Sequence, residues 1–313
     1  MYENDSDSII EVKSSLMNEK YINHNMKNFI ENKASYFLKN SRNLPNLELE
    51  KFILWKIDRN RVFISMDLNC PAQCKFCYVD SLIAKRNKLS SIKLAKILCE
   101  TVKNDKRFTQ GKQGTTIMLS PFTDPFHENN IEASLEIINF FSTLKNFIDI
   151  ATRFPLLKID SLSPFSENIL INFSLSSLQD NIEINNQYLR FKNAKKLISK
   201  GYNVTLYLRP IIQDITIHDI DKIIDLAKDS GIKVITIGGL YVDEKILHKL
   251  SSINIDISKY TKIKKKFVLD DKEILEKIKA NDLEVIYKKL QNSGFNVFYS
   301  SDQRIEYYKS KLI

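Results

Sequence analysis

From residue 61 onward, the apolar positions of the chain fall into short runs that alternate with longer segments of mixed polarity. Short runs rich in Ile, Val, Leu and Phe predict strands, whereas apolar residues spaced three and four apart predict helices. The predicted strands cover residues 61–66, 115–119, 147–151, 171–175, 203–208 and 233–237. The predicted helices cover residues 91–103, 132–144, a short stretch near 167, 189–200 and 219–228. Gly201 and Gly231 follow two of these helices and suit the left-handed position that ends a helix.

Six strand–helix alternations indicate parallel strands joined by right-handed crossovers. Six units are too few for a closed eight-stranded barrel, so the sequence predicts an α/β fold with a partial (β/α)6 TIM-like barrel over residues 61–240. In barrels of this kind the chemistry takes place at the carboxyl ends of the strands. Polar residues that directly follow a predicted strand are therefore the first candidates for a functional site.

Two flanking regions complete the predicted domain organisation. Residues 1–60 are polar with some apolar positions at helical spacing, which predicts a helical N-terminal extension. Residues 241–313 predict a C-terminal α/β cap, which we expect to cover one mouth or edge of the barrel. Its predicted elements are helices near 244–250 and 272–291 and a short strand at 295–299.

Composition and charge exclude some classes of protein. The 313-residue chain is 43% hydrophobic, has no apolar run long enough to span a membrane, and begins with a polar segment unlike a signal peptide. Together with only four cysteines, this predicts a cytoplasmic protein without membrane contact. The formal net charge of +9 indicates either a nucleic-acid surface or lysines spread over solvated faces. The second interpretation is favoured, because no nucleic-acid-binding motif accompanies the densest basic run, residues 259–266.

Three of the four cysteines lie in one eight-residue stretch, Cys70-Pro-Ala-Gln-Cys74-Lys-Phe-Cys77, after the first predicted barrel strand. Three thiolates at these spacings can ligate a 4Fe–4S cluster and leave its fourth iron without a protein ligand. A zinc site would need a fourth ligand from Cys99 or a distant histidine, and the sequence has no second close pair of such residues. A thioredoxin-like pair would leave Cys70 unexplained, and a disulfide framework does not suit so long a chain with so few cysteines.

The CxxxCxxC stretch followed by the aromatic Tyr78 resembles the signature of the radical S-adenosylmethionine superfamily. The resemblance implies a six-unit partial barrel and a cluster whose open iron chelates the methionine part of S-adenosylmethionine. It also implies that an electron, from a donor such as flavodoxin or ferredoxin, cleaves this cofactor and releases a 5′-deoxyadenosyl radical that abstracts hydrogen from a substrate. In such an enzyme the chemistry belongs to the cofactor, and the protein orients it.

The loop after the second predicted strand, residues 120–127, places a hydroxyl and a carboxylate, Thr123 and Asp124, at the same mouth of the barrel. It is similar to the Thr-Asp-Pro-Tyr-Gln-Pro-x-Glu segment of the spore photoproduct lyase-like branch, which takes the place of the more general cofactor motif. The first four positions match, with Phe for Tyr, whereas His127, Glu128 and Asn130 depart from the Gln, Pro and Glu of the pattern. Which group holds the methionine amine therefore stays open, and an ordinary Asp-Pro turn is the alternative.

Further candidate residues follow the next two predicted strands. Thr152 and Arg153 suit a carboxylate or a ribose, unless Arg153 instead pairs with a structural acid. Ser174 ends the fourth predicted strand, where related enzymes contact the ribose. Arg190 can clamp the cofactor carboxylate with two parallel hydrogen bonds, or form an ion pair with Glu183 that fixes the loop.

A pair of glycines, Gly238 and Gly239, ends the sixth predicted strand in a chain with only seven glycines. Glycines at a strand end allow a flat ring to approach the backbone closely, so we expect the adenine of the cofactor to pack there. A tight turn is the alternative. A Gly239→Val substitution is then expected to weaken cofactor binding.

The sequence thus predicts a radical S-adenosylmethionine enzyme that acts on a small molecule or a natural-product intermediate. Repair of a DNA photoproduct is an alternative within the class. The resemblance to spore photoproduct lyase implies a hydrogen relay with a tyrosine on each side of the third cluster cysteine, and here Phe76 occupies the first position while Tyr78 matches the second. Cys99 lies within a predicted helix and is expected to be a core residue. An alternative of a different class, a metal-cluster nucleic-acid-binding module, leaves the six strand–helix units unexplained.

Overall fold

The computed structural model describes residues 55–58, 60–66, 70–79, 91–119, 123–154, 162, 166–183, 186–269 and 272–312. The predicted N-terminal extension lies outside the described residues up to position 54, and its helical structure there stays a prediction. The helical prediction is wrong for Trp55–Asp58, which form a strand that pairs antiparallel with the next one.

The described residues form two sheets and seven α-helices. The strands are β1 Trp55–Asp58, β2 Arg61–Ile64, β3 Thr116–Leu119, β4 Ile148–Thr152, β5 Ile169–Leu175, β6 Asn203–Leu208, β7 Val234–Ile237, β8 Leu240–Val242, β9 Tyr260–Leu269, β10 Lys272–Ala280 and β11 Asn296–Phe298. The helices are α1 Ile92–Lys103, α2 Ile131–Thr143, α3 Gln187–Ser199, α4 Ile215–Asp229, α5 Glu244–Ser251, α6 Leu283–Asn292 and α7 Ser301–Lys309.

The main sheet has the parallel core that the sequence predicts. Strands β2 to β7 lie side by side in chain order, and each neighbouring pair is parallel. Strand β1 pairs antiparallel with β2 at one edge, and β11 pairs parallel with β7 at the other. The strand order begins at β1 and ends at β11, so within the described residues the sheet is open. The predicted α/β fold is therefore confirmed.

The main sheet curves around helix α7. Asp302, near the start of α7, forms an ion pair with Arg61 of β2, whereas Arg304 donates from Nη1 to Thr236 Oγ1 of β7 at 3.2 Å. Five strand spacings separate β2 from β7, which is about 24 Å in a flat sheet. Two side chains within one helical turn can span this many strands only if the sheet bends around the helix. The sheet therefore has the curvature of a partial barrel, with α7 on its concave side.

Local sequence features explain why the elements form where they do. All seven side chains of β5 are buried, as expected for a parallel strand that is covered on both faces. Ser91 caps α1, since its Oγ accepts a hydrogen bond from Leu94 N at 3.1 Å. Gly201 and Gly231 follow α3 and α4 with φ of 84° and 80°, which confirms the predicted left-handed helix ends. Within the described residues, no helix has the length and apolar character that crossing a bilayer requires.

Two predicted helices are wrong. The helix expected near residue 167 is a single 3-10 turn, Ser166–Asn168, that leads directly into β5. The helix expected over 272–291 begins only at Leu283, because the preceding residues form β10. Lysine and glutamate favour a helix in isolation, but β10 pairs antiparallel with β8 on one side and β9 on the other, and these cross-strand pairings override the local preference. The basic run at 259–266 belongs mainly to β9.

Candidate active site

One cavity of about 260 Å³ brings most of the predicted site residues together. It lies at the carboxyl ends of the barrel strands, as expected for this architecture. The predicted residues that line it are Cys70, Cys74, Cys77, Thr123, Asp124, Thr152, Arg153, Ser174 and Gly239. Arg190 and Gly238 are not among the lining residues.

The cysteine loop forms one wall of this cavity. Cys74 is buried, Cys70 and Cys77 are half-buried, and all three are free thiols. Cys77 N donates to Cys74 O at 3.1 Å, and Gln73 takes a left-handed φ of 47°, so the loop is a compact turn. Burial is the main reason why the pKa of Cys70 rises to about 11 and that of Cys74 to about 12. The thiols of Cys70 and Cys74 are thus protonated at neutral pH until a metal displaces the protons.

The donor set fits a 4Fe–4S cluster. Among the residues that the structure describes, no three His, Cys, Asp or Glu side chains converge on the position of a single metal ion. A 4Fe–4S cluster places each cysteine on a different iron, so its ligands surround a cube and need not meet at one point. Three free thiols around one cavity, with apolar side chains such as Ala72 and Val79 beside them, provide this arrangement.

Asp124 ties the loop after β3 to the end of β4. Its Oδ1 accepts from Thr152 Oγ1 at 2.7 Å and from Phe126 N at 3.0 Å, and its Oδ2 accepts from Arg153 N at 2.6 Å. Burial raises the pKa of Asp124, although these hydrogen bonds oppose the shift. Both carboxylate oxygens therefore already accept protein donors, which favours a positioning role for Asp124 beside any contact with a cofactor amine.

Asn130, which departs from the branch motif, has a structural role in the same loop. Its Nδ2 donates to Thr123 Oγ1 at 3.1 Å and to Asp124 O at 2.9 Å. An amide can serve as this donor, whereas an ionised glutamate has only acceptors. The ring of His127 packs edge-on against Phe154 at 5.2 Å between centroids, and neither residue is among those that line the cavity.

Arg153 and Arg190 both pair with Glu183. Arg153 Nη1 lies 2.6 Å and Arg190 Nη1 2.8 Å from Glu183 Oε2, and the glutamate side chain is fully buried. Burial alone would raise the pKa of Glu183, but the two arginines and the N–H of Ser176 outweigh it and lower the pKa. Pairing with an acid was the alternative role that the sequence left open for each arginine. The structure contains this pairing for both, and Glu183 is the acid in each case.

The same three side chains also bind the backbone of the surrounding loops. Glu183 Oε1 accepts from Ser176 N at 2.6 Å and from Ser177 N at 3.1 Å. Arg190 donates to Ser174 O and Arg153 O, both at 2.7 Å. Arg190 therefore fixes the backbone of Ser174, which lines the cavity. We call Arg153, Glu183 and Arg190 the upper network.

The packing around Gly238 and Gly239 accounts for these small residues without any ligand. A Cβ at Gly239 would lie 2.2 Å from Ile278 O of β10, and a Cβ at Gly238 would lie 2.8 Å from Arg209 Nε. The backbone contact alone requires glycine at position 239, whereas a side chain at position 238 would require the Arg209 side chain to move. Adenine packing at Gly239 stays a prediction, and a Gly239→Val variant would not isolate it, because the substitution would also displace β10.

The cavity contains residues that the sequence reasoning missed. Tyr207 and Arg209 come from β6 and the position after it, Tyr241 comes from β8, and α7 contributes Ser301 and Arg304. The alternation along β6 was a usable signal for Tyr207, because residues two apart on a strand face the same side. Nothing in the local sequence places α7 on the concave side of the sheet, since its Asp302 and Arg304 side chains bind strand residues 68 to 241 positions away.

The fold is similar to that of spore photoproduct lyase. A cysteine-to-alanine mutant of that enzyme with dinucleoside spore photoproduct aligns with a TM-score of 0.57 and 10% identity over 75% of each chain. The lyase complexed with the same dinucleoside aligns with a TM-score of 0.56 and 11% identity, again over 75% of each chain. A weaker match, with a TM-score of 0.49 and 13% identity over 88% of this chain and 60% of the other, is SuiB of Streptococcus suis bound to S-adenosylmethionine. No family model and no curated protein matches the sequence.

Proposed function

We propose that this chain is a radical S-adenosylmethionine enzyme. The observation that carries the proposal is one cavity, on a fold like that of spore photoproduct lyase, that three free cysteines line together with the polar ends of β4 and β5 and the loop after β3. Cys70, Cys74 and Cys77 would hold a 4Fe–4S cluster, and S-adenosylmethionine would lie beside it. When bound, this pair would supply a carbon-centred radical that abstracts a hydrogen atom from the substrate.

The residues of the chain position these groups and keep water out. Asp124 fixes the backbone of Arg153 and the hydroxyl of Thr152, and both residues line the cavity. Phe76, Tyr78 and Tyr241 form an aromatic wall, with the Tyr78 and Tyr241 rings edge to face at 5.9 Å between centroids. Such a wall limits the access of water, which would compete for a reactive intermediate.

We infer a small-molecule or natural-product substrate. Support comes from Phe76, which lacks the hydroxyl that the lyase-like relay has at this position, and from Cys99, which is fully buried in α1 and is absent from the cavity lining. A cytoplasmic location and an electron donor such as flavodoxin or ferredoxin belong to the same proposal.

Repair of a DNA photoproduct is the second candidate, because the similar solved structures include the lyase with dinucleoside spore photoproduct. Incubation of the reconstituted protein with that dinucleoside and S-adenosylmethionine under reducing conditions separates the two candidates. We expect no repair, and efficient repair would establish the second candidate.

Anaerobic reconstitution with iron and sulfide tests the class itself. We expect four irons per chain, a broad visible absorption band and cleavage of S-adenosylmethionine to 5′-deoxyadenosine with dithionite. A Cys74→Ala variant should lose cofactor cleavage. Cys99→Ala is the matched control, because Cys99 is also a buried thiol but lies in the core of α1, and it should keep the activity. Cleavage at the wild-type rate by Cys74→Ala would contradict the proposal.

A further inference from the structure

The guanidinium of Arg153 lies directly against the cysteine loop. Its Cζ is 4.8 Å from the centroid of the Phe76 ring, and Phe76 stands between Cys74 and Cys77 in the sequence. The side chain is only 14% exposed, so water screens its charge weakly. Arg153 is therefore a cation held within the wall that carries the cysteines.

Four contacts hold Arg153 in this place. Nη1 donates to Glu183 Oε2 at 2.6 Å, Nη2 donates to Arg209 O at 3.0 Å, and the backbone N donates to Asp124 Oδ2 at 2.6 Å. The ring of Phe76 is the fourth contact. Glu183 is itself fully buried and accepts from Arg190 and from two backbone N–H groups, so it cannot follow Arg153 away from the loop.

We propose that Arg153, positioned by Glu183, raises the reduction potential of the cluster that Cys70, Cys74 and Cys77 would hold. This inference rests on the proposed function. Reduction adds one electron, and hence one negative charge, to a cluster whose thiolate ligands are already negative. A fixed cation nearby stabilises the reduced form, and in a poorly solvated site this effect is large enough to alter the potential. Arg153 thus sets how easily an electron donor can reduce the cluster.

Because Arg153 and Glu183 carry opposite charges, their variants distinguish an electrostatic effect on the potential from a merely structural one. Removal of the positive charge of Arg153 should make the potential more negative. Removal of the negative charge of Glu183 should make it more positive, because the glutamate opposes the arginine. Simple loosening of the loop would admit water in both variants and shift both potentials in the same direction.

The experiment is a redox titration of the reconstituted full chain, followed by electron paramagnetic resonance, without S-adenosylmethionine. We expect Arg153→Gln to shift the midpoint potential downward and Glu183→Gln to shift it upward. Arg153→Lys keeps the charge and should lie closer to wild type than Arg153→Gln. The matched control is Arg107→Gln, which removes the same charge at an exposed site paired with Asp105 and should leave the potential unchanged.

Each outcome separates the inference from the proposed function. If the wild type assembles no four-iron cluster, the proposed function fails and the inference falls with it. If the cluster forms but Arg153→Gln and Arg107→Gln titrate alike, or Arg153→Gln and Glu183→Gln shift in the same direction, only the inference is overturned. Should Glu183→Gln fail to fold, the contrast between Arg153→Gln and Arg153→Lys decides.

Discussion

Two buried ionic networks lie at different depths of the same barrel, and their side chains bind different parts of the fold. The upper network joins its charged side chains mainly to loop backbone after β4, β5 and β6. The other, which we call the lower network, consists of Asp149, Asn172 and Arg304. Arg304 Nη2 donates to Asp149 Oδ2 and Asn172 Nδ2 to Asp149 Oδ1, both at 2.6 Å. The lower network joins strands to a helix, whereas the upper one shapes loops.

This difference distinguishes the interactions that stabilise the barrel from those that shape the candidate site. A charge that binds loop backbone fixes the places where a ligand would be held, so its loss should change binding and redox properties first. A charge that joins β4 to α7 closes the concave side of the sheet, so its loss should change the stability of the whole fold. Both networks border the same cavity through Arg153 and Arg304, which makes the comparison testable in one protein.

Loss of Arg304 should have the largest effect on stability. Arg304→Met leaves Asp149 buried without its cation, and breaking a buried pair in this way costs about 3–5 kcal/mol. We expect the free energy of unfolding, measured with urea, to fall by this amount. Combining Arg304→Met with Asp149→Leu should recover much of the loss, because no lone charge remains. A cost of less than about 1 kcal/mol for the single variant would show that the lower network does not close the barrel.

Asp124→Asn should affect the site more than the fold. The carboxylate accepts three hydrogen bonds, and the amide would direct an N–H group at one of the present donors. We expect a loss of about 1.5–3 kcal/mol in unfolding free energy, the usual contribution of hydrogen bonds to a charged group. Binding of S-adenosylmethionine by the reconstituted protein, measured by equilibrium dialysis, should weaken as well. If Asp124→Asn lowered the stability but bound S-adenosylmethionine as tightly as the wild type, Asp124 would contribute to the fold rather than to cofactor binding, as the lower network does.

The stability of the protein at acid pH tests the upper network through Glu183. The two arginines hold the pKa of this residue below the ordinary value of 4.5. A carboxyl whose pKa is lower in the folded state stabilises that state above its unfolded-state pKa, and this contribution is lost as the pH falls through the folded-state pKa. We therefore expect the unfolding free energy of the wild type to decline more steeply below pH 4.5 than that of Glu183→Gln. Glu167→Gln removes an exposed carboxylate and should keep the wild-type slope.

Ser301→Ala should have the smallest effect. Ser301 Oγ lies 3.3 Å from Tyr207 OH, a long hydrogen bond between two neutral groups that line the cavity. We expect a loss of at most about 1 kcal/mol in the free energy of unfolding, measured with urea. A loss as large as that of Arg304→Met would mean that the contact between Ser301 and Tyr207 holds α7 as strongly as the lower network does.

The sequence predicted those parts of the molecule that depend on neighbours along the chain. The six barrel strands, the helix that follows the cysteine loop and the cysteine loop after β2 all follow from short-range patterns, and the parallel order follows from the alternation of strands with helices. The β9–β10 hairpin was missed because its Lys and Glu residues suit a helix until cross-strand partners are known. Glu183 was visible as a partner of Arg190, but its second arginine, Arg153, lies 30 residues away and only the folded loops bring it near.

The place of α7 inside the curved sheet also bears on the order of events during synthesis. Asp302 pairs with a residue 241 positions earlier, and Arg304 with one 155 positions earlier. Contacts of such sequence separation form late, because a long loop must close before they stabilise anything. A ribosome delivers the cysteine loop and the residues of all six parallel strands before residues 301–309, so there is an interval in which those residues have been synthesised and α7, which covers the concave side of the sheet, has not. We expect iron and sulfide to have their easiest access to the three thiols during this interval.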